Sequence, residues 1–169
     1  MSTLPDQYTP ETKWGRSEGA RFRAKAATTG LVALVTLREL ARRRGALALA
    51  TLLPLTFYLV RLETHWTAIR LLSIGLGWAT ATLALFTQVS SRSVDRRLVV
   101  SGARPASLLL GRYLAVLGLG WILGLLYSGL VLATIGDELT HPGAVPVMLL
   151  LTATVATPLG SLAAAPVPR

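Results

Sequence analysis

Residues 71–89 read LLSIGLGWATATLALFTQV. These 19 consecutive residues contain no acidic, basic or histidine side chain. Wound as an α-helix, they extend about 28 Å, close to the roughly 30 Å thickness of a bilayer's hydrocarbon core. A half-buried strand would instead alternate apolar and polar residues, which this stretch does not. Small residues recur every four positions within it, at Ser73, Gly77 and Ala81 and again at Gly75 and Ala79. Such rows let helix backbones approach closely in lipid, where apolar burial alone provides no drive to associate.

Three further apolar runs flank this one. Residues 45–60 form an uncharged run bracketed by Arg44 and Arg61, with Pro54 near its middle. Residues 114–135 carry another small-residue row at Gly120, Gly124 and Ser128, and residues 145–165 contain Pro146 and Pro158. The sequence therefore predicts an all-α polytopic transmembrane helical bundle with about four spans, at 45–61, 71–89, 114–135 and 145–165. Gly77, Ala81, Gly120 and Gly124 are its expected helix-packing positions. Composition agrees, since 52% of the residues are hydrophobic and only 15% are charged, against about 25% charged in ordinary globular domains.

Ahead of the first run, residues 26–44 read as an amphipathic helix lying in the membrane interface. Arg38, Glu39, Arg42 and Arg43 fall on one side of it, and Leu34, Leu37, Leu40 and Ala41 on the other. Residues 1–25, rich in Pro, Thr, Gly and charge, are expected to form a flexible cytoplasmic tail preceding this elbow and the transmembrane domain, 45–169.

The net charge of +9 raises the question of a nucleic-acid partner, and the placement of the basic residues answers it. Nine precede residue 45, and Arg92, Arg96, Arg97, Arg104 and Arg112 lie between the second and third runs. The intervening segment on the other side holds Arg61 and Arg70, and residues 136–144 hold Asp137 and Glu138 instead. This asymmetry follows the positive-inside rule. It predicts a multi-pass plasma-membrane protein with both termini cytoplasmic and no nucleic-acid partner.

Enzymatic signals are missing from the sequence. There is no cysteine, no lysine after Lys25 and no phosphate-binding loop, so the chain is not expected to hydrolyse ATP itself. Gly118, Gly120 and Gly124 fall inside a span and read as packing rather than cofactor binding. Glu63 and His65 read as solvated loop residues rather than a metal site. No catalytic residue, metal or cofactor is expected.

The connection between the second and third spans has internal order. Val94, Leu98 and Ser101 share one side of a short helix, Asp95 sits in its first turn where the helix dipole favours an anion, and Gly102 ends it ahead of Pro105. From the residues alone, this is either a docking helix or a basic loop obeying charge bias.

Three segments together resemble the permease subunits of type-2 ABC exporters. The run LRELARRR at 37–44 is similar to that family's elbow helix. FTQVSSRSVDRRLVVSGARP at 86–105, followed by LLLGRY at 108–113, resembles its coupling segment, and residues 157–169 resemble the inner end of its fourth span. The resemblance implies translocation of a substrate with ATP hydrolysed by a separate ABC ATPase subunit. It also implies a second permease copy or related permease as partner. The ATPase-docking residues it implies are Val94, Asp95, Arg96, Arg97, Leu98, Val99, Val100, Ser101 and Gly102. Family members have six spans, so the chain is expected to be a truncated or reduced relative. The alternative is a small membrane scaffold or regulatory subunit that transports nothing.

Overall fold

A computed structural model describes residues 11–61, 64–102 and 104–165, and for 11–25 and Ser93 the backbone alone. All regular elements among the described residues are helices: α1 (Glu11–Arg42), α2 (Arg44–Leu59), α3 (His65–Ser90), α4 (Arg92–Val100), α5 (Pro105–Ile135) and α6 (Ala144–Ala163). A short 3-10 helix, Gly136–Glu138, extends α5. Three of these stretches are long and apolar enough to cross a membrane: His65–Ser90, Pro105–Glu138 and Ala144–Ala163. The fourth, α2, has 16 residues.

Helix ends do not fall where hydropathy changes. α3 starts at His65 and takes in Arg70, and α5 starts at Pro105 rather than at 114, with proline in the first turn where its missing N–H costs nothing. A backbone helix continues until a cap or proline stops it, so Arg112 lies inside α5 rather than in a connection.

The amino-terminal region also differs from the expectation. α1 already runs from Glu11, so no break separates a tail from an elbow at residue 25, and residues 1–10 lie outside the described residues. No proline occurs between Glu11 and Arg42, so charge and glycine alone do not interrupt the helix. The face of α1 that meets the bundle is turned from the anticipated one. Thr36 and Leu40 are buried and Val32 half-buried, while Leu34, Leu37 and Ala41 are exposed together with Arg38, Glu39, Arg42 and Arg43. Gly111 of α5 fixes this choice, because it admits Val32 to within 2.8 Å of where a β-carbon would stand.

α3 lies at the centre, packing on α6, α2 and α5, while α5 also packs on α6 and α1. Pairing is antiparallel between α3 and α5, where Gly120 meets Thr80 and Gly124 meets Leu76. α3 and α6 run in the same direction, since Gly77 faces Thr152 and Ala156 and Gly160 faces Ala81. The core is built from Leu72, Leu76, Leu83, Val116, Leu123, Tyr127, Val131 and Leu149. Outward positions are just as apolar, as at Val147, Leu151, Val155 and Leu159 of α6.

Small residues set these crossings. Gly75 has Pro54 of α2 2.8 Å from its ideal β-carbon position, and Gly120 has Thr80 Cγ2 at 2.9 Å and Ala153 Cβ at 3.2 Å. Gly124 is looser, with Leu149, Leu150 and Leu76 each at 3.7 Å. The two rows on α3 thus serve different neighbours, Gly75 meeting α2 and Gly77 meeting α6. The Ser73, Gly77 and Ala81 row lines an open groove of about 410 Å³ with Thr152, Ala156 and Leu159.

Polar side chains inside the bundle are satisfied locally. Tyr127 donates to the Thr51 carbonyl across 2.6 Å, one helical turn before Pro54, and Tyr58 and Thr134 share a 2.6 Å hydrogen bond. Buried Thr80, Ser128 and Thr157 donate back to carbonyls of their own helices. No fully buried side-chain nitrogen or oxygen among the described residues lacks a partner, as the cost of an unmade hydrogen bond in apolar surroundings demands.

Candidate partner-docking site

The α4 arm forms where α3 stops. Ser91 is at once the end of α3 and the residue before α4, and its hydroxyl donates to the Thr87 carbonyl. The chain then turns into Arg92–Val100, with the Asp95 amide donating to the Ser91 carbonyl at 2.9 Å. At the far end the Ser101 and Gly102 amides donate to Arg97 and Val99 carbonyls, and Gly102 adopts φ +98°. That left-handed conformation costs glycine little and terminates the helix. Arg104 is extended and Pro105 opens α5, while Ala103 lies outside the described residues.

Two arginines tie this arm to the bundle. Arg112, one turn beyond Leu108 in α5 and only 6% exposed, sends both guanidinium nitrogens to the two carboxylate oxygens of Asp95. The forked geometry matches a carboxylate and gives direction as well as charge. Arg92 donates to the carbonyl of Ala164, the residue capping α6. A helix's last carbonyls have no partner within the helix and favour a nearby cation, so the contact suits both sides. α4 is thus joined to α5 and α6 by side chains at its own first turn.

The rest of the arm faces outward. Val94, Arg96, Arg97, Leu98, Val99, Val100 and Ser101 are all exposed, Val100 at 85%. Asp95 is partly covered by its arginine partner. The surface therefore mixes branched apolar side chains with two arginines, Arg96 and Arg97, that face outward.

Of the residues expected to dock a partner, Val94 to Val100 lie on α4, Ser101 caps it and Gly102 lies just beyond, while the expected packing positions Gly77, Ala81, Gly120 and Gly124 lie elsewhere, on α3 and α5. Sequence reasoning missed the Asp95–Arg112 pair. A signal for it existed: Asp95 is the sole acid between Glu63 and Asp137, so any arginine drawn into the bundle nearby had one available counter-charge. It also missed Gly111 and Gly160, whose neighbours α1 and α3 are distant in sequence.

At the opposite end of the bundle, His65 Nδ1 lies 2.7 Å from Glu138 Oε2, linking the start of α3 to the 3-10 helix. Glu63, weighed with His65 as a metal ligand, lies outside the described residues. No three metal-ligating side chains come together among the described residues. No protein family, curated protein or solved structure matches this chain.

Proposed function

We propose that this chain is the membrane-spanning permease subunit of an ABC exporter of the type-2 class, with a separate ATPase subunit docking on α4. The observation that supports this reading is a short amphipathic arm, apolar and basic on its outer face, held by ion pairing between two helices of membrane-spanning length. A partner that pushes on such an arm moves the helices it is fastened to, which is how hydrolysis outside a membrane is made to act within it. A second copy or a related permease joins this chain to enclose the substrate path.

The orientation proposed puts α4 and both termini on the cytoplasmic side of the plasma membrane, because 14 of the 17 basic residues lie before residue 45 or between 90 and 113. In this cysteine-free chain, single cysteines at Thr64 and Thr140 should react with an impermeant thiol reagent in intact cells and one at Ser93 should not; the reverse pattern inverts the topology.

A second reading, a membrane scaffold or regulatory subunit that transports nothing, is favoured by the open α3–α6 groove, which offers a small-residue face to another helix. Co-purification separates the two. Leu98→Asp introduces a charge into the apolar part of the docking face, at a cost of about 2 kcal/mol or more if that face is dry. An ATPase subunit that co-purifies with the parent should be lost from Leu98→Asp and from the double variant Arg96→Glu/Arg97→Glu. Undiminished recovery with both variants removes the docking role.

A further inference from the structure

The two arginine contacts of α4 differ from the Glu39–Arg43 pair in what they connect and from the His65–Glu138 contact in burial. Glu39–Arg43 joins two positions one turn apart on α1, and both side chains are more than half exposed. Arg112, in contrast, is buried against the bundle and reaches Asp95, 17 residues earlier and on a different helix, with both arms of its fork. Arg92, three residues before Asp95 on the same first turn, reaches the end of α6. Besides its chain connections to α3 at Ser91 and to α5 through residues 101–104, the arm has little other attachment, since its remaining described side chains face outward.

From this geometry we infer that Arg112 is a positioning residue: its fork on Asp95, together with the Arg92 strap on Ala164, fixes the angle of α4 and makes α4 move as one body with α5 and the end of α6. A guanidinium buried at 6% exposure cannot be left unpaired without a large penalty, so displacing α4 must either carry α5 along or break a pair that resists breaking. Two attachments at one turn act as a fixed joint, because one alone would leave α4 free to swing about it. The far end, with Val100 almost fully exposed, is then the end of a lever. The purpose given to this lever rests on the docking role proposed above, but its rigidity does not and is measured without any partner.

The test uses the full chain in lipid nanodiscs. Spin labels on cysteines replacing Val100 and Leu162, both exposed and outside the clamp, report the distance from the arm to α6. A second pair at Ile122 and Val155, exposed on α5 and α6, reports the bundle. The parent should give one narrow distance distribution for each pair. Asp95→Asn, which keeps the shape but removes the charge, should broaden the Val100–Leu162 distribution roughly twofold, as local release of an arm does, and leave Ile122–Val155 unchanged. Asp95→Glu, which retains a carboxylate, should restore most of the narrow distribution. Arg92→Gln, at an exposed position, should broaden it to a smaller extent and decides the matter should Asp95→Asn not fold. An unaltered Val100–Leu162 distribution in the variants that fold overturns the inference. So does equal broadening of both pairs, which would mean that the ion pair holds the whole bundle rather than the arm.

Discussion

Among the described residues, each end of the helical bundle carries a contact between a carboxylate and a basic side chain on a neighbouring element, and the two are built differently. At the α4 end, Arg112 is buried and meets Asp95 through both carboxylate oxygens. At the other end, His65 meets Glu138 through one contact, with side chains 38% and 63% exposed. Two close glycine contacts add to the α4 end, although Gly30, Gly45 and Gly102 there meet nothing within 4 Å. Near the α4 end, Gly111 is crowded by Val32 and the Thr29 carbonyl, and a β-carbon on Gly160 would overlap the Ala81 carbonyl. Near the other end, Gly129 and Gly143 face open space, and Gly136 has only Leu132 at 3.9 Å. Buried charge thus joins α4 to the bundle, whereas the charged contact at the other end is shared with water, beside a dry core at Ile69, Ile135 and Val145.

The sharpest way to break this comparison is to remove Asp95. Asp95→Asn leaves the Arg112 guanidinium buried without a counter-charge, a loss of about 3–5 kcal/mol. Unfolding of the detergent-solubilised protein by a denaturing detergent, followed by circular dichroism, should show destabilisation of that order. A loss below about 1 kcal/mol, the range of exposed pairs, would place Arg112 in contact with water and erase the distinction between the ends.

The glycines offer a test of intermediate size that involves no charge. Gly160→Ala drives a methyl group into the Ala81 backbone, which cannot rotate away, so α3 and α6 must separate. Overpacking of this kind costs about 1–3 kcal/mol. Gly129→Ala, placed where nothing lies within 4 Å, should instead leave stability unchanged or raise it by about 0.5–1 kcal/mol through reduced chain entropy. Equal effects of the two substitutions in the same unfolding assay would contradict the close α3–α6 crossing.

How far the sequence reveals this depends on the range of the interaction. Four helices and their order were legible from runs such as 71–89, because the solvent a helix requires is written in its own residues. The positive φ at Gly102 was equally local, since a helix end ahead of Arg104 and Pro105 needs a residue free to adopt it. Helix ends were less legible. α5 begins at Pro105, nine residues before its uncharged run, since capping rather than hydropathy stops a helix. The inner face of α1 was not legible, because Leu31, Leu34 and Val35 are as apolar as Val32 and Leu40 and the selection was made by Gly111 on a distant helix. The same holds for Asp95 and Arg112: both residues were visible, but their meeting depends on the angle at which α4 folds back, which no periodicity encodes.

The smallest expected effect is at the exposed end and sharpens the comparison from below. Glu138→Gln removes the carboxylate opposite His65 while keeping the side chain's size and its capacity to accept a hydrogen bond. Both partners are substantially solvated, so water replaces most of what is lost, and exposed pairs contribute about 0–1 kcal/mol. Whatever contribution there is should fade with salt, since the screening length falls from about 10 Å at 0.1 M to about 3 Å at 1 M. The Asp95–Arg112 pair should be nearly insensitive to the same change, because ions cannot enter the space around a buried guanidinium. The measurement is the difference in unfolding free energy between parent and variant at 0.1 M and 1 M sodium chloride, made for Glu138→Gln and Asp95→Asn side by side. The Glu138 difference should be at most about 1 kcal/mol and shrink toward zero at high salt, while the Asp95 difference persists. If the Glu138 variant loses as much as the Asp95 variant and keeps that loss in salt, the two ends are equally fixed, and the contrast between a buried and a solvated contact is gone.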